Sequence, residues 1–213
     1  MKSPMKKSFK AVLILLFPLL LSCATTPPGR QYTQGGIIDM GHFSVIGPPG
    51  DGWSVNIQKD QRKIEFEKRN VSQSTGFINE SILIHVFRNG VTDEKIKRLT
   101  EEEVADDFRG KEEVGMLMRG VMMGKYELSD VKKDTIIIGD RKLYFMSYRT
   151  SGFGKPVPRK WISEATLYLF FPADFKEKHF FYCFLIQQVK VEGFFGAYDL
   201  TPIISVINSL QIK

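Results

Sequence analysis

The chain is poor in the residues from which most catalytic and metal centres are built. Its 213 residues include only two cysteines and three histidines. Two cysteines supply neither a disulfide framework nor a four-ligand zinc site. His42, His85 and His179 stand far apart, with no HExxH, no His-x-His and no pair at helical i,i+4 spacing, so the sequence offers no histidine-based metal cluster. GxSxG, Walker-type and GxGxxG loops are also missing. With 18 Gly and 10 Pro the chain is neither collagen-like nor low-complexity. No apolar run reaches the roughly 20 residues a membrane-spanning helix needs.

What is present is an ordinary globular balance, 43% apolar and 25% charged, with 30 Lys+Arg against 24 Asp+Glu and a net charge of +6. The excess is concentrated at the start. Lys2, Lys6, Lys7 and Lys10 precede an apolar run from Ala11 to Leu21, AVLILLFPLLL, interrupted by Pro18. A basic stretch followed by about eleven apolar residues is the n-region and h-region of a signal peptide. Without residues 1–22 the chain carries 26 basic and 24 acidic residues, a net +2, and the case for a nucleic-acid-binding surface loses its support.

Leu20-Leu21-Ser22-Cys23-Ala24 follows directly. This segment resembles the bacterial lipobox: an aliphatic residue three before the cysteine, a small residue just before it, and the cysteine itself. The resemblance implies diacylglyceryl transfer to the Cys23 thiol, cleavage after Ser22 and acylation of the new amino terminus. Ala24 in place of Asp implies sorting to the outer membrane, facing the periplasm. Three acyl chains, at about 0.8 kcal/mol per buried methylene, would hold the protein on a bilayer almost irreversibly. The expected organisation is a signal peptide over 1–22, a lipidated tether over 23–36 rich in Thr, Pro, Gly and Gln, and one globular domain over 37–213.

Within that domain Trp53, Val55 and Ile57 alternate with polar residues, as do Ile64 and Phe66, and Lys59-Asp60-Gln61 supplies a turn. A hairpin is expected there. Ile82, Ile84 and Val86 with Leu83 and Phe87 form a strand apolar on both faces, which should lie centrally. The charged stretch from Thr92 to Lys125 has helical spacing at Ile96, Leu99, Val104 and Phe108. Thr100-Glu101-Glu102-Glu103 fits a capping box with Leu99 and Val104 as staple, so a helix should begin at Glu101 and weaken at Gly110 or Gly115. Ile136 to Ile138, Gly139-Asp140 and Leu143 to Ser147 read as a second hairpin. Strands follow over 162–171 and 180–188, and Thr201, as N-cap, with Pro202 opens a closing helix. The expected class is α+β: a mainly antiparallel sheet flanked by helices.

Phe43-Ser44-Val45, Pro48-Pro49-Gly50-Asp51-Gly52-Trp53, the two early strands, the mid-chain charged helix and the closing helix from Ile204 to Leu210 resemble the PsbP-like fold, an α/β/α sandwich that includes bacterial lipoproteins. The resemblance spans roughly residues 41–210.

Other features have plain explanations. His85 lies on a mostly apolar strand face as a core or edge residue, while His42 and His179 open strands at the surface. Cys183, among Phe181, Tyr182 and Phe184, is a buried, poorly nucleophilic thiol. Met116, Met118, Met122 and Met123 do not share one helix side and serve to fill the core. Glu101, Glu102, Glu103, Asp106 and Asp107 beside Arg98, Arg109 and Lys111 form a solvated helix face. The loop RTSGFGKPVPRK offers Arg149, Lys155, Arg159 and Lys160 to lipid headgroups or an acidic partner, although an exposed linker between strands explains it more simply. Ten of the 17 phenylalanines fall between Phe145 and Phe195. Layers packed on both sheet faces account for them, as would a lipid-holding cavity. The sequence therefore points to a membrane-anchored, non-enzymatic interaction domain with an envelope protein partner. The alternative is a carrier of hydrophobic ligands. No cofactor, metal or nucleic acid is expected.

Overall fold

Alternation of β-branched and aromatic residues with polar ones runs through most of the domain, and the chain follows it into strands. The computed structural model describes residues 30–31, 35–69, 77–88, 99–123, 126–154, 159–191 and 199–213. Residues 1–29, which include Cys23 and the stretch expected as a signal peptide, lie outside them, as do Lys155, Phe194 and Phe195.

The strands are β1 (Arg30–Gln31), β2 (Ile37–Asp39), β3 (Phe43–Ile46), β4 (Trp53–Gln58), β5 (Lys63–Lys68), β6 (Phe77–Arg88), β7 (Tyr126–Ile138), β8 (Arg141–Gly154), β9 (Arg159–Phe170), β10 (Phe180–Val191) and β11 (Gln211–Ile212). The helices are α1 (Glu101–Met123), α2 (Phe175–Lys178) and α3 (Thr201–Ser209). Eight strands form one antiparallel sheet in the order β1-β4-β5-β6-β10-β9-β8-β7, and β11-β3-β2 form a second. The class is α+β, and β6 is central as its two apolar faces require.

Each face of the large sheet has its own core. On one, Ile64, Phe66, Ile82, Ile84, Phe184 and Ile186 pack under α3 and the small sheet, where Phe43 and Val45 point inward. On the other, Leu167, Leu169, Phe181 and Cys183 pack under α1 and Phe175. One covering layer is thus half helix and half sheet, a difference from the expected α/β/α sandwich. Phe43, Val45 and Ile38 supply the apolar side that makes a three-stranded cover possible.

The capping box forms as expected. The Thr100 amide donates to Glu103 Oε2 at 2.7 Å and the Glu103 amide to Thr100 Oγ1 at 3.2 Å. Gly110 and Gly115 do not interrupt α1, because Val104, Ala105, Arg109 and Met116 are buried against the sheet on one helix side and packing outweighs propensity. Met118, in contrast, is 56% exposed, so core filling describes Met116 and fails for Met118. Thr201 lies inside α3 rather than capping it, and its amide donates to Asp199 Oδ1 at 2.9 Å. Gly139 holds the β7–β8 turn at φ +64, where a Cβ would stand 3.0 Å from Asn208 Oδ1. Only glycine fits both conditions.

Two expected boundaries move. Arg30 and Gln31 pair with Val55 and Ser54 of β4, so part of the expected tether belongs to the sheet. Of the segment from Arg149 to Lys160, residues 149–154 belong to β8 and 159–160 to β9, while 155–158 lie outside the described residues. The two strands stay in register because each has partners on both sides as far as Trp161.

Candidate functional site

One row of residues crosses the six inner strands of the large sheet, from β4 to β8. Trp53 faces Lys68, Lys68 faces Glu80, Glu80 faces Gln188, Gln188 faces Glu164, and Glu164 faces Arg149. Directly opposed residues share a sheet face. The row therefore stands on the α3 side and ends the apolar core there.

The charges at the β8 end of this row are paired. Arg149 contacts Glu164 at 2.7 Å and Asp130 at 3.2 Å, and Lys190, one step along β10, contacts Glu164 at 3.2 Å. Gln188, 2% exposed, donates from Nε2 to Glu80 Oε1 at 2.7 Å and to the Asp199 carbonyl at 3.1 Å, while the Asp199 amide donates back to its Oε1 at 3.3 Å. The start of α3 is thereby tied to the sheet. Burial alone would raise the Glu164 carboxyl, but the bonds from Arg149 and Lys190 hold it below its ordinary value. Burial raises Glu80, and the bond from Gln188 only partly offsets this. The two carboxylates are kept apart by Gln188. Ionised Glu164 serves two cations at once, while Glu80 is held by the Gln188 amide.

Of the residues expected to meet headgroups or an acidic partner, Arg149 and Lys160 are exposed and Lys155 lies outside the described residues. Arg149 is committed to Glu164 and Asp130 within β8. Lys160 is exposed on β9, four residues from Glu164, about 13 Å along the strand. Arg159 opens β9. The structure does not bring Arg149 and Lys160 together. Glu80, Gln188 and Lys190 were not singled out in the sequence, since only the register reveals that they stand in one row with Glu164.

The other sequence candidates resolve individually. Cys183 is buried and its thiol is pushed far up by desolvation. Burial likewise moves Tyr168 and Tyr182 up to about 12, so both phenols stay neutral. Arg109, expected on the solvated face, is 5% exposed beneath α1. It pairs with Asp106 and donates to the facing carbonyls of Asp134 and Phe145 at 3.1 and 3.0 Å. Among the described residues no group of three His, Cys, Asp or Glu is placed to hold a metal ion, and no helix is long and apolar enough to cross a membrane.

The aromatic side chains are engaged in packing. Phe87, Phe108, Phe171 and Phe175 surround Phe181 at ring distances of 5.3 to 6.5 Å on one face. Phe43, Tyr182 and Phe170 pack on the other. Layers on both faces therefore account for these rings.

His85 is half-buried against Phe87, as expected for an edge-of-core residue. His42 is also half-buried, with Nε2 enclosed, which corrects its surface assignment. His179 caps α2 in the left-handed region at φ 60. Burial, reinforced by Arg62 for His42 and by Lys63 for His85, lowers both imidazoles below 6.5. Because the unfolded chain then binds protons the folded one refuses, their stability contribution is present above about pH 6.5 and falls as pH drops through it. Urea unfolding should give a lower midpoint at pH 5.5 than at 7.5, and His42→Gln with His85→Gln should flatten that difference.

No family model and no curated protein matches the chain. Among solved structures, the solution structure of cyanobacterial PsbP (CyanoP) from Synechocystis sp. PCC 6803 is similar at 10% identity and a TM-score of 0.33, covering 78% of this chain and 96% of that one.

Proposed function

We propose that the protein is a lipid-anchored lipoprotein of the bacterial envelope whose α+β domain, PsbP-like in its order of elements, binds a protein partner without catalysis. The observation that carries this reading is Leu20-Leu21-Ser22-Cys23 placed directly after a lysine-rich, acid-free start and an eleven-residue apolar run. The domain's chemistry is in keeping with it. Glu164 offsets Arg149 and Lys190, and the buried thiol and phenols stay protonated. The pairing of Arg30 with Val55 leaves seven residues, 23–29, between the acyl chains and the sheet. At no more than about 3.6 Å each they reach about 25 Å, so the domain would stay close to the membrane, on the outer membrane's periplasmic side.

Cys23→Ala should abolish palmitate labelling and move the protein from the membrane to the soluble fraction. Persistent labelling of that variant would refute the anchor. Crosslinking of the native protein in cells should yield a defined envelope protein partner.

A further inference from the structure

The large sheet has two unequal edges. At β4 the chain's own β1 closes one of them, while β7 ends the sheet with no strand beyond it among the described residues. β7 is 13 residues long. Its guards stand in the first half, where pairing slips between Ser129 and Lys132, Asp130 sits at φ 54, and Lys132 and Lys133 are exposed. Bulges and lysines of this kind keep sheet edges from pairing. From Asp134 to Ile138 the strand is regular, and Ile136 and Ile137 are 40% and 72% exposed.

The direction of each backbone group follows from the turn. Ile138 and Arg141 flank a two-residue loop, which makes them a hydrogen-bonded pair, so Ile136 and Asp134 also face β8. Lys133, Thr135 and Ile137 then turn their N–H and C=O groups outward. Two contacts agree with this. Arg109 reaches the facing carbonyls of Asp134 and Phe145 together, and the Thr135 amide donates to the neighbouring Asp134 Oδ1 at 2.7 Å.

We propose that β7 pairs with β7 of a second copy of this chain, antiparallel, about a two-fold axis at Ile136. Outward groups must meet outward groups, so the axis falls on a residue and not between two. An axis on Lys133 opposes two lysines, one on Asp134 opposes two aspartates, and one on Ile137 sets Asp134 against Asp140. An axis on Thr135 places Lys132, Lys133 and Asp134 against isoleucines. Only the axis on Ile136 opposes no like charges and also gives Lys132 a counter-charge: Ile136 meets Ile136, Thr135 meets Ile137, Asp134 meets the buried Ile138, and Lys132 meets the 88% exposed Asp140 carboxylate at both ends. The contact is isologous and closes on itself, covering β7 from Lys132 to Ile138 and leaving its bulged first part, 126–131, outside the pairing. It does not depend on acylation of Cys23. The Thr135 amide exchanges the Asp134 carboxylate for the Ile137 carbonyl of the second copy.

The test is disulfide trapping under mild oxidation in the full chain carrying Cys23→Ala, with that chain lacking the added cysteine as blank, since Cys183 is buried. Ile136→Cys should give covalent dimer many-fold above the blank, because facing residues of a non-hydrogen-bonded pair have Cβ atoms about 4.5–5.5 Å apart. Ile137→Cys alone should give little, and Thr135→Cys with Ile137→Cys should restore it. Adding Lys132→Glu to the Ile136→Cys chain should cut its trapping several-fold, and adding Asp140→Lys as well should recover it. Equal trapping by Ile136→Cys and Ile137→Cys, or none by Ile136→Cys in a chain with native circular dichroism, would overturn the proposal. Should Ile136→Cys misfold, sedimentation of the Lys132→Glu and Lys132→Glu/Asp140→Lys chains decides: monomer then dimer supports it, and an unchanged mass in both refutes it.

Discussion

Phe181→Ala is expected to destabilise the domain by about 3–5 kcal/mol, the usual cost of removing a fully packed phenylalanine. Phe181 is 4% exposed and lies at the centre of its ring cluster, stacked on Phe87 and Phe171 at 5.6 and 5.3 Å and edge-on to Phe108 at 5.5 Å. Four elements meet there: β6, α1, the β9–α2 connection and β10. No single neighbour can move in without opening a gap at another, so the cavity would persist. Against a total stability of about 5–15 kcal/mol, such a loss would remove a large fraction of the domain's margin. A urea midpoint within experimental error of the parent's would show that this cluster is loosely packed, and would revive the cavity needed by a hydrophobic-ligand carrier.

Replacing Glu164 should cost nearly as much. Glu164→Gln keeps the shape but removes the charge that serves both Arg149 and the 6% exposed Lys190. Breaking a buried ion pair from one side typically costs about 3–5 kcal/mol. Arg149 is partly exposed and retains Asp130, so a loss of about 2–4 kcal/mol is expected here, with less than that for Glu164→Leu combined with Lys190→Met. Thermal unfolding of the two single variants and the double one measures the coupling. Additive losses would show that the pair is not coupled. The sign with pH is also set: because the Glu164 carboxyl is held below 4.5 in the folded state, its contribution is present above that value and is lost as pH falls through the folded pKa. Glu164→Gln should therefore show a weaker loss of stability on acidification below about pH 4.5 than the parent.

Much of the fold was legible because its signals are local. Alternation at Trp53–Gln58 and Lys63–Lys68, the capping box at Thr100–Glu103 and the Gly139-Asp140 turn each specify backbone conformation within a few residues. The start of β7 was not legible, since Tyr126 to Thr135 is strongly charged and alternates only weakly. It becomes a strand because β8 lies beside it and α1 covers one of its faces. Arg109 was misplaced for a related reason. An arginine in a charged run reads as solvated, and burial of its guanidinium depends on carbonyls supplied by strands 25 and 36 residues away.

Taken alone, the sequence determined the α+β class, the central position of β6, the inert buried Cys183 and the near-neutral charge beyond the first 22 residues. Each depends on composition or on spacing within one segment. The tertiary structure decided which polar residues share a row, that Glu164 serves both Arg149 and Lys190, and that β1 closes one sheet edge while β7 has no strand beyond it among the described residues. Those properties depend on strand register, and a shift of one residue would turn every side chain of a strand to the opposite face. Register is selected by the packing of both cores together, so it belongs to the assembled sheet and to no segment of it.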